Sequence, residues 1–406
     1  VIQTGGKQSM KNFLNRYLYY ILVPILFIML ITFYEAQNIP ATIFLRENDT
    51  VKQNMFLKVK GMNKKTDRNA SVNLLGVVPV GSVSIKSVKE NMLLYPGGQP
   101  IGVKLNTQGV LVVALSDVTT KNGKIISPAA SSGIQIGDDI LKINDVTIKS
   151  GEQTREEIDR SEGKNIKILL DRKGEKIEKI LKPVKSLEDN GYKIGLWIRD
   201  STAGVGTLTF YDKESNMFAA LGHPITDIDT GTILKVNSGE IVSSSIVSIK
   251  KGAKGNPGEL KGIFVNENNT LGNIYKNTQC GVFGKGNNQL ENKKLAPMKI
   301  GLRSEIKEGP AKILTTIGKE GVKSYDIKIE KLLAQDVPGP KSMVIRVTDK
   351  ELLEKAGGIV QGMSGSPIIQ NEKIVGAVTH VLVNKPDVGY GIYIEWMLND
   401  ANLLEK

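Results

Sequence analysis

Thiols and imidazoles are nearly absent from this 406-residue chain: Cys280 is the single cysteine, and His223 and His380 are the two histidines. One thiol excludes an intrachain disulfide and a cysteine-built metal site, and two histidines leave no basis for a histidine-rich one. The sequence therefore predicts no bound metal and no cofactor. No Gly-Lys pair is followed by Ser or Thr, so the phosphate-cradling loop of nucleotide-binding enzymes is missing too. Aromatic residues make up 5% of the chain, and neither stacking aromatics, a recognition helix nor a zinc module accompanies the net charge of +12. Nucleic acid is excluded as a partner on those grounds. The 54 basic residues are scattered among 42 acidic ones, which describes a generally basic surface suited to anionic membranes or acidic partners.

What the chain does hold is glycine, 42 residues of it, and short Val, Ile and Thr runs bounded by Gly, Asn and Asp. That texture predicts a mainly β protein with tight turns. At about 150 residues per domain, the length suggests two or three domains.

Residues 17–34 contain no charged side chain and are dominated by Leu, Ile, Val, Phe, Met and Tyr, interrupted by Pro24. This is long enough to cross a hydrocarbon core as a helix. Lys7, Lys11 and Arg16 precede it, while Glu35, Glu47 and Asp49 follow, so residues 1–16 are expected in the cytoplasm and the rest outside. A cleaved signal peptide is the alternative, but Tyr34-Glu35-Ala36 is a poor cleavage site. Residues 35–94 read as a tether with some strands, as in the alternation Ser82-Val83-Ser84-Ile85-Lys86.

From residue 95 the pattern becomes compact. Tyr95-Pro96-Gly97-Gly98-Gln99-Pro100-Ile101-Gly102-Val103 is followed by Gly109-Val110-Leu111-Val112-Val113, Ser127-Pro128-Ala129-Ala130, Gly137-Asp138-Asp139-Ile140-Leu141 and Ile143-Asn144. In this order the segments resemble a PDZ domain over residues 95–185. Such a module lends an open sheet edge to an extended peptide and captures its carboxylate with backbone amides. The resemblance implies that Gly98, Gln99, Pro100, Ile101 and Gly102 form the carboxylate-binding loop. The same glycines would equally serve as plain turns between strands.

Residues 186–406 return to short strands with frequent turns, a two-barrel or sandwich pattern. Within them lies Gly362-Met363-Ser364-Gly365-Ser366-Pro367, then Ile368-Ile369 and, beyond a polar turn, Ile374-Val375-Gly376-Ala377-Val378. Serine attacks a carbonyl only when a base takes its proton and donors meet the oxyanion. A glycine-bounded turn exposes the hydroxyl and aims amides, which marks Ser364 as the candidate nucleophile. Its base has to be a histidine. His223, in Leu221-Gly222-His223-Pro224-Ile225, sits where a strand would end in a turn; His380 sits on the strand after the nucleophile. His223 is the preferred base. A carboxylate should orient it, and Asp349, Asp227 and Asp229 are all candidates by position.

These segments, with Val347-Thr348-Asp349 and Gly357-Gly358-Ile359-Val360-Gln361, resemble the stage IV sporulation protein B peptidase family. That family joins a membrane anchor, a PDZ domain and a serine peptidase domain. The resemblance implies His223 as base, Ser364 as nucleophile and Asp349 as the acidic member. It also implies secretion into the space between forespore and mother-cell membranes, self-cleavage, and cleavage of a membrane-bound regulatory complex that restrains processing of a late mother-cell sigma-factor precursor.

A more distant similarity to chymotrypsin-like peptidases implies a double β-barrel, with the amides of Gly362 and Ser364 as oxyanion hole. It places Thr379 and His380 beside the substrate and Gly358 near the base of a specificity pocket without fixed charge. Asp349 departs from that pattern, lying only 15 residues before Ser364, and would alternatively cap a helix over residues 350–355. The competing reading of the whole is a membrane-anchored PDZ scaffold that no longer cleaves.

Overall fold

The computed structural model describes residues 78–404 without a break and, before them, residues 17–20, 22–27, 29–30, 34, 41–47, 49, 57–60 and 68–74. It divides into two compact units, the larger built from residues 93–334 and 338–403. In the smaller unit, β1 (Thr42–Arg46), β2 (Leu57–Lys60), β3 (Arg68–Leu74) and β4 (Val78–Val88) form a sheet in the order β1-β4-β3-β2. Its core is small, with Ala70, Val72 and Val83 buried and Ile43 and Ile85 packed against them. Among the described residues no helix is long and apolar enough to cross a membrane. The expected span at 17–34 is helical where it is described, and residues 21, 28 and 31–33 of it lie outside the described set.

The larger unit opens with β5 (Leu93–Pro96) and the 16-residue β6 (Pro100–Leu115). The second half of β6 enters a small α+β module with α1 (Pro128–Ser131), β7 (Asp139–Ile143), α2 (Gly151–Arg160), β8 (Ile166–Arg172) and β9 (Glu175–Leu181). Strands β6, β7, β8 and β9 pair successively and antiparallel. Pro128 stands at the start of α1, where its missing N–H costs nothing, and Ser150 caps α2 by accepting from the Gln153 amide. Val112, Ile140, Ile168 and Leu170 are fully buried between sheet and helices. Buried Asp138 takes two hydrogen bonds from Arg172, at 2.7 and 2.8 Å.

Next comes β10 (Leu196–Asp212), 17 residues long, then β11 (Met217–Ala220), β12 (Val236–Lys250), β13 (Glu259–Thr278) and β14 (Gly281–Gly286). Pairings run β10 to β11, β11 to β14, β14 to β13, β13 to β12, β12 to β6 and β6 back to β10. Six strands thus close a ring.

A second ring follows. It uses β16 (Gly309–Thr315), β17 (Lys323–Leu332), β18 (Met343–Val347), β19 (Pro367–Gln370), β20 (Lys373–Leu382) and β21 (Lys385–Tyr393), the short β15 (Met298–Ile300) preceding them. Here β16 pairs with β17, β17 with β18, β18 with β21, β21 with β20, β20 with β19 and β19 with β16. Strand β5 pairs with β10 of the first ring and with β15, which runs parallel to β20 of the second. Helix α3 (Lys350–Ala356) leads into the candidate nucleophile loop, and α4 (Ile394–Asp400) closes the unit with Trp396 buried.

Ring closure decides the two-barrel reading over the sandwich. It also moves a boundary. Residues 95–107, assigned from sequence to the PDZ-like module, belong to the first barrel: Pro100 to Asn106 pair with Thr207 to Ser201, and Ile101 to Thr107 with Ser243 to Val236. Alternation in a sequence announces a strand but not its partner, so an insertion between barrel strands reads as a domain beginning at the first of them. A fragment of residues 186–406 lacks β5 and β6 and will show no cooperative thermal transition by circular dichroism, whereas residues 93–406 will show one.

Candidate active site

Helix α3 ends at Gly357, whose left-handed φ of 77° lets its amide reach the Leu353 carbonyl. The chain then turns through Gly362 and Gly365, with φ of 95° and 97°. A Cβ on Gly365 would sit 2.1 Å from the Thr207 carbonyl oxygen and 2.6 Å from the Leu221 nitrogen. Only glycine admits such an approach between the two barrels.

Thr207 on β10 grips this loop twice, its amide donating to the Ser364 carbonyl (3.1 Å) and its hydroxyl to the Gly362 carbonyl (2.7 Å). Within the loop the amides of Gln361, Met363, Gly365 and Ser366 donate to backbone carbonyls. Those of Gly362 and Ser364 donate to no other described residue. The loop therefore leaves two amides unengaged beside one serine. The Ser364 hydroxyl itself donates to the Thr379 carbonyl at 2.8 Å.

His223 follows β11, where Leu221 and Gly222 both have positive φ, at 69° and 70°, and reverse the chain. Its Nδ1 lies 2.8 Å from the Pro224 carbonyl oxygen. A carbonyl only accepts, so Nδ1 carries the proton and neutral His223 keeps its lone pair on Nε2. Burial pushes the His223 pKa below the ordinary 6.5, partly offset by the Pro224 hydrogen bond.

Residues after His223 are fastened from several sides. The Asn277 side chain accepts from the Ile225 amide (2.8 Å) and donates to the carbonyls of Ile225 (2.7 Å) and Leu234 (2.9 Å). Lys235 pairs with Asp139 (3.1 Å) and Asp171 (2.8 Å) of the PDZ-like module. A cleft of about 310 Å³ is lined by His223, Ser364, Gly362, Gln361, Val205 and Ile225 among others. His223 and Ser364, the candidate base and nucleophile, thus share one cleft, although no hydrogen bond joins them among the described residues.

None of the three candidate carboxylates stands at His223. Asp349 caps α3, accepting from the Leu352 amide (3.0 Å) and the Asp326 amide (3.3 Å). Asp227 is buried, paired with Arg199 and bonded to the Thr230 amide (2.9 Å), and Asp229 pairs with the same arginine at 2.7 Å. What does stand there is His380, its ring centroid 5.0 Å from that of His223. Thr379 is buried, its single hydroxyl proton within reach of the Pro340 (2.6 Å) and Tyr390 (3.1 Å) carbonyls. Gly358, φ 136°, turns against Pro386, whose carbonyl oxygen would lie 2.1 Å from a Cβ there; it does not line the cleft. Thr207, Pro224 and Asn277 escaped the sequence reading. A threonine on a strand and a carbonyl next to a histidine carry no composition signal.

The loop Gly98, Gln99, Pro100, Ile101 and Gly102 lies in the first barrel instead of beside a peptide groove. Gly98 has φ 99° and its carbonyl accepts from the Thr316 hydroxyl (3.0 Å), and Gln99 donates to the Leu290 carbonyl (2.9 Å). Pro100 pairs with Thr207, Ile101 is fully buried, and Gly102 faces Phe264. In the PDZ-like module a groove of about 450 Å³ lies elsewhere, between Gly151, Thr154, Arg155 and Ile158 of α2 and the start of β10 near Leu196.

Cys280 offers no rival nucleophile, being buried with its thiol pushed far up by desolvation. Among the described residues no cluster of three His, Cys, Asp or Glu side chains is arranged to hold a metal.

The sequence profile of the SpoIVB peptidase S55 family matches residues 190–398. The chain belongs to that family. This S55 member is a serine endopeptidase of the sporulation type. Among solved structures, the active form of the Rv3671c protease from M. tuberculosis is 11% identical, covering 49% of this chain and 72% of that one with a TM-score of 0.30. The PDZ domain of an SdrC-like protein from Listeria monocytogenes is 20% identical, covering 22% and 87%, TM-score 0.18. The S55 profile starts after β5 and β6, although β6 is one of the six strands that close the first barrel and β5 pairs with both β10 and β15.

Protonating Nε2 removes the base, and burial disfavours that cation. Reaction of Ser364 with a fluorophosphonate will therefore rise with pH through a midpoint below 6.5 and be level by pH 7.5; a midpoint above 6.5 would contradict the burial effect. Replacing Thr207 with Val removes one hydrogen bond to the loop, and the same reaction should slow about tenfold.

Proposed function

We propose that this S55 peptidase is anchored by residues 17–34 and cleaves protein segments exposed outside the cytoplasm, first its own tether and then a membrane-bound regulatory complex during sporulation. The forespore side facing the intermembrane space is its place of action, and release of a late mother-cell sigma-factor precursor for processing is the outcome. The uncharged run, its basic flank and the family membership support this reading.

The observation that carries the chemistry is that His223, Gly362 and Ser364 line one cleft, with the Gly362 and Ser364 amides unengaged among the described residues and His223 Nδ1 taken by the Pro224 carbonyl. On substrate binding the Ser364 hydroxyl exchanges the Thr379 carbonyl for His223 Nε2. Its proton passes to Nε2 as Oγ bonds to the scissile carbonyl carbon. The carbonyl oxygen becomes an oxyanion facing the amides of Gly362 and Ser364, where loss of one such donor typically costs about 3 kcal/mol. His223 then returns the proton to the departing amine, leaving an acyl-enzyme that water hydrolyses by the reverse steps. In this scheme Thr379 holds the resting serine through its carbonyl; its buried side chain and His380 do not line the cleft, contrary to the expectation that they flank the substrate.

Ser364→Ala is expected to abolish both self-processing and fluorophosphonate labelling while leaving the circular dichroism spectrum unchanged. Self-processing that persists in the purified variant would sink the assignment. His223→Ala should lower labelling by at least about 10³-fold.

A further inference from the structure

A backbone amide can meet an oxyanion only if its peptide plane is held at the right angle, and the Gly362 amide shares its plane with the Gln361 carbonyl. Among the described residues no peptide bond is cis, so across that planar unit the N–H and the C=O point in opposite directions. Whatever holds the Gln361 carbonyl therefore aims the Gly362 N–H. Gly362, with φ of 95°, has no side chain to hinder rotation of the plane, which has to be fixed from outside.

The group that fixes it comes from the first barrel. The connection between β12 and β13 reaches the segments around Ser364, where the amides of Gly252 and Gly255 donate to the carbonyls of Ala356 (2.8 Å) and Val383 (2.9 Å). The Gly258 carbonyl accepts from the Gln361 amide (2.9 Å), and the Leu260 amide donates to the Gln361 carbonyl at 2.8 Å. Glu259 and Gln361 form a parallel bridge at the same place. Gly258 permits the approach, since a Cβ there would sit 2.4 Å from the Lys250 carbonyl oxygen and 2.6 Å from the Val360 side chain. Leu260 is buried and does not line the cleft; a Cβ on Gly362 would lie 3.0 Å from its own Cβ.

The other candidate donor is set differently. The Ser364 amide shares its plane with the Met363 carbonyl, which the Ser366 amide takes inside the turn at 3.0 Å. We propose that Leu260 is a positioning residue of this peptidase: its backbone N–H locks the peptide between Gln361 and Gly362 with the Gly362 amide turned into the cleft. The hairpin of β12 and β13 in one barrel thereby completes the oxyanion hole of the other. Without that N–H the plane is free to turn over, and an acceptor, the Gln361 carbonyl, then faces the place where negative charge develops.

The proposal rests on Ser364 as nucleophile and on the Gly362 amide as oxyanion donor. The probe is a fluorophosphonate: the Ser364 Oγ bonds to phosphorus, fluoride departs, the serine proton passes to His223, and the phosphoryl oxygen occupies the oxyanion position. Its maximal labelling rate, half-saturating concentration and pH midpoint are followed on the full chain. The Leu260 N–H is spent on Gln361, and Leu260→Pro deletes it. This variant is expected to lower the maximal rate about 10²-fold, the cost of one oxyanion donor, leave half-saturation within about twofold and leave the pH midpoint, which belongs to His223, unmoved. Replacing Leu260 with its α-hydroxy acid keeps the side chain and turns the N–H into an ester oxygen. It should reproduce the loss, and it decides the matter if the proline variant does not fold. Leu260→Val keeps the N–H and should recover the rate to within about threefold of wild type. An unchanged maximal rate in the α-hydroxy variant overturns the proposal. So does a loss confined to half-saturation, or one equally large in Leu260→Val, either of which marks packing alone. Labelling that survives Ser364→Ala would instead defeat the underlying assignment.

Discussion

The arrangement of the cleft depends on the grip of Thr207 on the loop carrying Ser364. One residue of the first barrel donates its amide to the Ser364 carbonyl and its hydroxyl to the Gly362 carbonyl. With those carbonyls and the neighbouring amides engaged, the Gly362 and Ser364 amides are left over. The pair is defined by subtraction: the Gln361, Met363, Gly365 and Ser366 amides of the turn are already occupied. Because the grip crosses between barrels, it also fixes the nucleophile of one relative to the histidine of the other. Gly365 is part of the same constraint, since any side chain would force the barrels apart at Thr207 and Leu221.

His223 is held by different means. Two left-handed residues point the chain back on itself, and one asparagine then pins both Ile225 and Leu234. Arg199 and Lys235 tie the same excursion to β10 and to the PDZ-like module. Polar groups committed in this way cannot also serve His223, which is why the carboxylates nearest it in sequence are spent on architecture.

Much of this was readable in the chain. The turn at Ser364 announced itself through its glycines, because a sharp turn and a close approach both demand them, and the His223 turn through its place after an apolar run. Asp349 was ambiguous for a physical reason: Asp before a helix and Asp in a triad look alike until the carboxylate's partners are seen, and those partners are the Leu352 and Asp326 amides. Gly98 to Gly102 misled because a glycine-rich turn between strands has the same composition as a carboxylate-binding loop. A groove of that module lies instead near Leu196, almost a hundred positions later, beside a helix that only the fold brings there. The contact between His223 and His380, 157 residues apart, left no trace in spacing.

The long strands β6 and β10 are each shared, one part belonging to the barrel and the other to the PDZ-like module. Their pairing spans about a hundred residues of intervening chain, a loop whose closure is entropically slow unless something shortens it. A module inserted between them brings their ends together: the pairing of Leu115 with Leu196 lies within it, and the same two strands run on into the barrel as Pro100 and Thr207.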